Sequence, residues 1–207
     1  MSNVTVTRTP TIFFTSDLHF CHDKEFIWKA RGFNSVDEMN RAIVDRWNAV
    51  VDPEDTVWVL GDVIFGDVDR NLKWLARLNG YINIVAGNHD SDKKIDAYIT
   101  LPKVTFNNHA TCIKMGKRRY MLSHHQMITK NGSEKHVPWN LHGHTHSQNK
   151  FCEYANCYNV NMDAHNCTPV SAEQIMSDIN EFYQKQEKKK ELKWYQKLLY
   201  KGVKGLC

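Results

Sequence analysis

Five short segments of the 207-residue chain carry side chains that can bind metal ions. Each combines a carboxylate, an amide oxygen or an imidazole with small or turn-favouring neighbours, and most follow an apolar run that predicts a β-strand. Together they provide the oxygen and nitrogen ligands that a pair of divalent ions needs. In chain order the segments are Asp17-Leu18-His19, Gly61-Asp62, Gly87-Asn88-His89-Asp90, Ser123-His124 and Gly143-His144-Thr145-His146.

Spacing suggests how these ligands are divided between two ions. Asp17 and His19 are two residues apart after a strand-like run, and alternate residues of a strand leave it on the same side, so both can reach one ion. Asp62 is the expected bridge, because its two carboxylate oxygens can bind one ion each. Asn88, His124 and His144 complete the second ion, and His146 can reach the first. The predicted metal ligands are therefore Asp17, His19, Asp62, Asn88, His124, His144 and His146.

Two ions about 3.5–4 Å apart favour hydrolysis at phosphorus. Metal binding lowers the pKa of water from about 16 to about 7, so a hydroxide that bridges the ions is a strong nucleophile for in-line displacement. His89 follows a predicted ligand, where it can protonate the leaving oxygen or stabilise charge in the transition state. Asp90 is close enough in sequence to orient His89. We assign catalytic roles to His89, Asp62 and Asn88 on this interpretation.

The first half of the chain predicts a parallel sheet that would position these ligands. Strand-like runs at 11–15, 55–60 and 81–86 alternate with helices that begin near Ser35 and Asp69. This order implies right-handed crossovers, with helices on the faces of the sheet. The functional groups then collect at the carboxyl ends of the strands, where open α/β sheets bind ligands.

The second half is richer in predicted strands. Gly116-Lys117 lies between two strand-like runs and predicts a hairpin. Ser171 and Gln174 have the spacing of a capping box and predict the start of a helix. The strands expected in this half are 110–115, 118–122, 139–142 and 158–162.

Composition is that of an ordinary globular protein. No run approaches the roughly 20 apolar residues of a membrane span, and the polar N-terminus lacks a signal-peptide segment, so we expect a cytoplasmic protein. The six cysteines contain no Cys-x-x-Cys pair, and reduced thiols are expected. A zinc site built from Cys152, Cys157 and Cys167 is the alternative, but small buried residues are the favoured interpretation.

The net charge of +4 is concentrated at the C-terminus. Residues 185–207 hold eight Lys and two Glu, a local charge of +6, which leaves −2 for the rest of the chain. We therefore predict a catalytic domain over 1–184 and a basic amphipathic C-terminal helix over 185–207. That helix is either a solvated surface element or an arm that contacts nucleic acid or an anionic surface. The oligomeric state is left open.

Four of the histidines outside the five segments are assigned no role at the metal site. His109, His136 and His165 have no partner motif, and we interpret them as ordinary polar residues. Strand alternation would direct His142 to the same side as His144, but a satisfied polar residue is the favoured interpretation there as well.

The order and content of the five segments resemble the calcineurin-like metallophosphoesterase superfamily. The resemblance spans residues 11–165, and every metal-ligand position of the family is filled. Phrases such as Thr15-Ser16-Asp17-Leu18-His19-Phe20 are similar to its small single-domain bacterial and phage-encoded branch. The resemblance implies a four-layer α/β sandwich of two mixed β-sheets flanked by helices. It also implies Mn, Fe, Zn or a mixture as the two divalent metal ions.

Two positions depart from that branch. Cys21 occupies a position that is commonly Gly, beside His22, which would contact substrate in the family. Ser123-His124-His125-Gln126 replaces the more usual Gly-His-x-Pro turn. We assign the ligand to His124, directly after a predicted strand, with His125 as the alternative. His22, Asp90 and His125 are candidate substrate contacts.

The sequence thus predicts a dinuclear metal-dependent phosphodiesterase. A nucleotide or the end of a nucleic acid is the expected substrate. The alternatives are a phosphomonoesterase or a dinucleoside-polyphosphate hydrolase of the same fold, or a non-catalytic scaffold that binds nucleic acid.

Overall fold

Two mixed β-sheets form the framework of the protein in its computed structural model, which describes residues 8–127, 138–152 and 156–204. The strands are β1 (Ile12–Thr15), β2 (Thr56–Val59), β3 (Tyr81–Ile84), β4 (Val104–Phe106), β5 (Ala110–Met115), β6 (Arg118–Ser123), β7 (Trp139–His142), β8 (Cys157–Asn159) and β9 (Val170–Ser171). The helices are α1 (Glu25–Trp28), α2 (Val36–Asn48), α3 (Val68–Leu75), α4 (Asp92–Tyr98) and α5 (Ala172–Lys204), with a 3₁₀ turn at Met162–His165.

The first sheet has the strand order β4-β3-β2-β1-β9. Strands β1 to β4 are parallel, and β9 pairs antiparallel with β1. Each of the first three strands is followed by a helix before the next one begins, as the alternation of the sequence predicts. The carboxyl ends of β1, β2 and β3 therefore meet at one edge of the sheet.

The second sheet has the order β5-β6-β7-β8. The predicted hairpin is confirmed, since β5 and β6 pair antiparallel from Ala110 opposite Ser123 to Met115 opposite Arg118. Strands β6, β7 and β8 are parallel. With one antiparallel pair in each sheet, the predicted class is confirmed: a four-layer α/β sandwich of two mixed β-sheets flanked by helices.

Packing against the first sheet explains why its helices form. Met39, Ile43 and Trp47 of α2 are fully buried in one cluster with the side chains of β1, β2 and β3. Val50 is 37% exposed and lies beyond α2, which ends at Asn48. The shared apolar core fixes the strands and so the positions of the loops that leave them.

Helix starts are set by side-chain caps. Ser35 accepts a hydrogen bond from the Glu38 backbone N–H at the start of α2, as predicted. The cap of α3 is Asp67, which accepts from the Arg70 N–H, and the prediction of Asp69 was wrong by two residues. Both positions carry an aspartate, so residue type alone does not separate them.

The chain divides into two compact units, Met1–Ala172 and Glu173–Cys207. Within the second unit, Ile175 and Ile179 are buried and most residues from 183 to 194 are exposed. Helix α5 continues without a break through the predicted boundary at 184/185. Among the described residues, no helix is both long enough and apolar enough to cross a membrane.

Candidate metal centre

The predicted ligands lie in loops whose backbone is left-handed. Asp17 and His19 after β1 have φ of 57° and 52°, Asp62 after β2 has 57°, and His144 and His146 after β7 have 67° and 46°. This conformation is uncommon outside glycine, although Asp and His adopt it more often than most residues. Asp17 and His19 therefore reach one side through a left-handed loop and not through strand alternation. Backbone strain of this kind is typical of functional sites.

Three side chains form what we call the first group: Asp17, His19 and His146. His19 Nε2 lies 2.9 Å from His146 Nε2 and 3.7 Å from Asp17 Oδ1. His146 Nε2 is 3.6 Å from the same Asp17 oxygen. Ligands that lie about 2.1 Å from one ion are about 3 to 3.5 Å from each other, so these distances suit a shared ion.

Three more side chains form the second group: Asn88, His124 and His144. Asn88 Oδ1 lies 2.9 Å from His124 Nε2 and 3.1 Å from His144 Nδ1. The two imidazole nitrogens are 3.2 Å apart. His124 Nδ1 lies 2.8 Å from the Leu60 carbonyl oxygen, which can only accept a hydrogen bond. The proton of His124 is therefore on Nδ1, and its Nε2 carries a lone pair for a metal.

Asp62 lies between the two groups. Its Oδ2 is 3.9 Å from His19 Nε2 and 3.5 Å from His124 Nε2. Its Oδ1 accepts a hydrogen bond from the His89 backbone N–H at 2.9 Å. The sequence predicted that each Asp62 oxygen binds one ion. In the structure Oδ2 faces both groups, whereas Oδ1 accepts the hydrogen bond from His89 N–H, so Oδ2 alone is placed to bridge two ions.

Glycines allow the loops to approach this closely. A Cβ on Gly87 would overlap the Asp62 carboxylate, and one on Gly143 would overlap Ser16 Oγ and Asp17 Oδ2. Gly61 has φ of 89° and a Cβ there would overlap Gly87. The glycine of each motif is therefore required by the contact between loops.

A buried polar atom without a partner supports the fit of these residues to a metal. In the described part of the chain, Asp17 Oδ1 faces the Nε2 atoms of His19 and His146, is buried and forms no hydrogen bond. Such atoms are costly unless something else binds them. Groups of His and Asp ligand atoms within 4.8 Å of one another include Asp17 with His19 and His146, and Asp17 with Asp62 and His124. The donor set of imidazoles, carboxylates and one amide suits Mn, Fe or Zn.

Charges within the centre shift its pKa values. Burial alone would raise the pKa of Asp17, but the nearby imidazoles of His19, His124 and His146 lower it to about 2. Burial lowers the pKa of His19 and of His144. These shifts favour an ionised Asp17 beside neutral His19 and His144, which are the protonation states that bind metal. At His146 burial alone would lower the pKa, but the hydrogen bond with Asp163 raises it.

His89 lies at the open side of the centre. Its side chain is 49% exposed, and Nε2 is 4.0 Å from Asp62 Oδ2. The ring packs on Phe65 with centroids 4.6 Å apart. Lys94 Nζ donates hydrogen bonds to the carbonyl oxygens of His89 and Ile64 and lies 5.0 Å from the Phe65 ring centroid. Phe65 and Lys94 thus position the predicted acid, and no motif in the sequence indicated them.

Asp90 has a different role from the predicted one. It is buried, and its Oδ2 accepts from the N–H groups of Asp62 and Gly87 at 2.7 and 2.9 Å. Its Oδ1 accepts from Val63 N–H and from the Tyr98 hydroxyl. These bonds fix the backbone at Asp62 and do not support the expectation that Asp90 orients the His89 ring or contacts substrate.

His22 lies beside the centre, with its ring 4.0 Å from that of Phe65 and 5.4 Å from that of His19. Burial and the charge of His19 lower its pKa to about 4, so its imidazole is neutral at physiological pH. Cys21 has φ of 63°, which explains why glycine is the usual residue there. The Cys21 thiol lies 3.5 Å from Asn40 Nδ2, on the side of α2.

The two adjacent histidines after β6 differ in placement. His124 is buried and belongs to the second group, whereas His125 is exposed with its ring 4.3 Å from that of His144. His124, His125 and His144 nevertheless bring ligand atoms within 4.8 Å of one another. The contacts of His124 with Leu60 and Asn88 support its assignment as the ligand and leave His125 as a candidate substrate contact.

The other histidines make contacts away from the ligands. His142 is buried, with Nδ1 2.9 Å from the Gly143 carbonyl oxygen and Nε2 3.3 Å from Gln126 Nε2. His165 Nε2 lies 2.9 Å from the Asn159 carbonyl oxygen, and exposed His109 contacts the Phe106 ring. His136 lies outside the described residues. Within the described residues, candidate metal-binding groups contain His and Asp but no Cys.

Two further residues that support the candidate ligands were not indicated by the sequence. Asp163 Oδ2 lies 3.0 Å from His146 Nδ1, and Arg31 forms an ion pair with the same carboxylate at 3.0 Å. Asp163 lies within the 3₁₀ turn capped by Asn161, and Arg31 precedes α2. No local pattern marks either residue, because they meet only through the tertiary fold.

A mixed α/β fold that gathers His and Asp side chains at the ends of its strands suits a hydrolase that uses metal ions. The chain belongs to the calcineurin-like phosphoesterase superfamily: the family model described as the calcineurin-like phosphoesterase superfamily domain matches residues 11–164.

Relatives of the chain include archaeal and phage proteins. It is similar to the uncharacterized protein MJ1445 of Methanocaldococcus jannaschii, with 30% identity over 178 residues that cover 81% of this chain and 90% of that protein. It is also similar to the Gene 66 protein of Mycobacterium phage L5, with 29% identity over 65% of this chain and 76% of that protein. A crystal structure of the protein of unknown function AQ665 from Aquifex aeolicus matches with a TM-score of 0.61 and 26% identity, over 82% of this chain and 99% of that one.

Proposed function

We propose that this protein is a phosphodiesterase that requires two divalent metal ions. The observation that carries the proposal is the convergence of seven side chains into two ligand groups with Asp62 Oδ2 between them. Asp17, His19 and His146 would hold one ion, Asn88, His124 and His144 the other, and Asp62 both. When bound, such ions acidify water and neutralise charge on phosphoester oxygens.

The residues around the ligands support hydrolysis. His89 is exposed at the open side and its backbone is held by Asp62 and Lys94, so its ring can donate a proton to a leaving oxygen. The Phe65 ring beneath it removes water from one face of the imidazole. His22 on the same wall is neutral and adds no charge that would repel a cation.

Charge around the centre favours a diester over a monoester. A monoester dianion is best held by a free guanidinium, which forms a bidentate pair with phosphate. Among the described contacts of the centre, the guanidinium is that of Arg31. It already donates hydrogen bonds to the Asp163 carboxylate and to the Asp17 carbonyl. The Lys94 ammonium donates to two backbone carbonyls. The monoanion of a diester needs less positive charge, and a nucleotide or nucleic-acid end is the substrate we propose.

A pair of chromogenic substrates tests this proposal. We expect Mn²⁺-dependent hydrolysis of bis(p-nitrophenyl) phosphate, slower hydrolysis of p-nitrophenyl phosphate, and loss of both with chelator. Asp62→Asn should reduce both bound metal and rate, because the bridging carboxylate loses its charge. Faster monoester hydrolysis would favour the phosphomonoesterase alternative. Inactivity of the fully metal-loaded protein would favour the non-catalytic scaffold.

A second proposal concerns the basic part of α5. Lys185, Lys188, Lys189, Lys190 and Lys193 are exposed, and the acidic residues among them are Glu187 and Glu191. Exposed Trp194 adds an aromatic surface next to these cations. A cationic helix with an aromatic side chain suits a nucleic acid, which supplies phosphates and base faces. We propose that this segment, rather than the catalytic centre, supplies affinity for a polynucleotide. A cytoplasmic location, expected from the sequence, remains part of the proposal.

A further inference from the structure

A buried ion pair joins the two loops that carry the first group of ligands. Arg31 and Asp163 are 132 positions apart in the chain, and their side chains are 1% and 11% exposed. Arg31 Nε donates to Asp163 Oδ1 at 3.1 Å, and Nη2 donates to Oδ2 at 3.0 Å. A bidentate pair of this kind fixes both the distance and the relative orientation of its two partners.

The carboxylate of this pair determines how His146 presents its nitrogens. Asp163 Oδ2 accepts a hydrogen bond from His146 Nδ1 at 3.0 Å. The proton of the ring is therefore on Nδ1, and Nε2 carries its lone pair toward Asp17 Oδ1 and His19 Nε2. Rotation of the His146 ring would break this bond, so Asp163 sets both tautomer and direction.

The guanidinium holds the other loop of the first group. Arg31 Nη2 donates to the Asp17 carbonyl at 2.8 Å, and Nη1 donates to the Leu18 carbonyl at 3.2 Å. Asp17 and His19 are in the left-handed conformation, which costs free energy unless other contacts stabilise it. These two hydrogen bonds hold the loop in that conformation without contacting a ligand atom.

The second group is oriented by different contacts. His124 is fixed through its bond with the Leu60 carbonyl, and Asp62 through the bonds that Asp90 accepts from the Asp62 and Gly87 N–H groups. In the described contacts, neither Arg31 nor Asp163 touches Asn88, His124 or His144. The contacts of Arg31 and Asp163 therefore lie on the first group, and the two groups meet at Asp17 Oδ2, which accepts a hydrogen bond from the His144 backbone N–H at 2.9 Å.

We infer that Arg31 and Asp163 are positioning residues that assemble only the metal subsite formed by Asp17, His19 and His146. The subsite formed by Asn88, His124 and His144 depends on other contacts and keeps its affinity when the pair is broken. This inference deepens the proposed function and rests on its two metal ions.

Titration of the purified full-length chain with Mn²⁺, followed by electron paramagnetic resonance of the free ion, tests the inference without any turnover. The wild type should bind two ions. Asp163→Asn has nearly the same volume but cannot accept from both Arg31 and His146 as a carboxylate does. We expect it to keep one site of wild-type affinity and to weaken the other about 10- to 100-fold, as for other supports of metal ligands. Arg31→Lys keeps the charge but loses the fork, and the same single-site loss is expected.

Asp55→Asn is the matched control. Asp55 is also a buried carboxylate paired with an arginine, Arg8, at 2.7 Å, but it precedes β2 and so lies at the opposite edge of the sheet from the ligands. This variant should keep both Mn²⁺ sites. Unchanged binding in both Asp163→Asn and Arg31→Lys, equal weakening of both sites, or the same loss in Asp55→Asn would overturn the inference. A wild-type chain that binds no Mn²⁺ would instead contradict the proposed function, before any variant is compared.

Discussion

At the level of single side chains, the role of His89 can be tested separately from metal binding. Its ring is exposed and rests on Phe65, whereas Asp17, His19 and His124 are buried. We expect His89→Ala to keep both metals and to slow hydrolysis of a substrate with a poor leaving group by about 10²- to 10⁴-fold, since a general acid acts only on the reacting oxygen. Metal analysis and single-substrate kinetics on the same preparation measure both quantities.

The leaving group distinguishes two roles for this residue. A good leaving group such as p-nitrophenolate needs no proton, so the deficit of His89→Ala should shrink with it. A deficit that stays the same across a series of leaving groups would show that His89 acts by charge stabilisation. Loss of metal from this variant would contradict the assignment altogether and would make it resemble Asp62→Asn.

Residues with a local pattern were predictable, and those without one were not. The seven candidate ligands could be predicted because each occurs in a short motif directly after a strand, and the structure brings all seven side chains together. Arg31 and Asp163 stand in no motif, and Phe65 and Lys94 act through packing and backbone carbonyls. Such roles depend on which distant segments meet, and a sequence alone does not contain that information.

At the level of elements, the loops after β1 and β7 must nearly touch. Gly143 follows β7, and a Cβ there would overlap Ser16 Oγ and Asp17 Oδ2. We therefore expect Gly143→Ala to displace Asp17 and to lower metal content to one ion or fewer per chain, with a matching loss of rate. Metal analysis after gel filtration measures the content, and circular dichroism checks that the fold persists.

Gly116→Ala in the turn between β5 and β6 is the control for general glycine effects. Gly116 has φ of 58°, but nothing lies within 4 Å of the added Cβ. This variant should lose about 1 kcal/mol of stability from the left-handed backbone and keep all its metal. Equal metal loss in both variants would mean that the contact between Gly143 and Asp17 is not what matters.

Asp55 precedes β2 and accepts hydrogen bonds from the Thr11 and Asp52 N–H groups. The shift of its pKa indicates how its charge contributes to folding stability. Burial alone would raise the pKa of Asp55, but hydrogen bonds from the Thr11 and Asp52 N–H groups and from Arg8 lower it below its usual value. A carboxyl group with a lowered pKa in the folded state stabilises the protein above its unfolded pKa of about 4. That contribution disappears as the pH falls from there through the folded pKa.

We expect Asp55→Asn to lower the free energy of unfolding by about 1–3 kcal/mol at neutral pH and by progressively less below about pH 4. Urea unfolding in the presence of chelator measures this, because bound metal would add its own stabilisation. Asp52→Asn is the control: Asp52 contacts the same Arg8 guanidinium but is 62% exposed, and it should change stability by less than about 1 kcal/mol. A difference for Asp55→Asn that is independent of pH would contradict the role of its charge.

Sequence patterns predicted the apolar strand runs better than they predicted the two-turn helix α4 and the three-residue strand β4. The runs at β1, β2, β3 and the hairpin β5–β6 were predicted within two residues. Helix α4 and strand β4 were missed, since α4 has seven residues and β4 three. Elements of that length carry too few apolar residues for a periodicity, and they form because the surrounding core accepts them.

At the level of the whole molecule, the candidate ligands come from both sheets. Asp17, Asp62 and Asn88 follow β1, β2 and β3 of the first sheet, and His124 and His144 follow β6 and β7 of the second. Alternation of strands and helices predicted the first sheet only. The pairing of two mixed sheets was expected from the family resemblance, because strand patterns do not specify which edges meet.

The C-terminal segment is proposed to add affinity for a polynucleotide, which hydrolysis of a small substrate does not need. Deletion of residues 185–207 removes the exposed lysines of α5 but no predicted ligand. We expect the shortened chain to hydrolyse a small aryl diester at a rate within about twofold of wild type, and to bind a single-stranded oligonucleotide more weakly at low salt.

The double substitution Lys188→Gln with Lys189→Gln should also weaken oligonucleotide binding and flatten its salt dependence, since each phosphate contact releases a counterion. The same change at Lys114 and Lys117, which are exposed on the β5–β6 hairpin, removes equal charge from another surface and should leave binding unchanged. Equal weakening by both pairs would mean that net charge, and not α5, attracts the oligonucleotide.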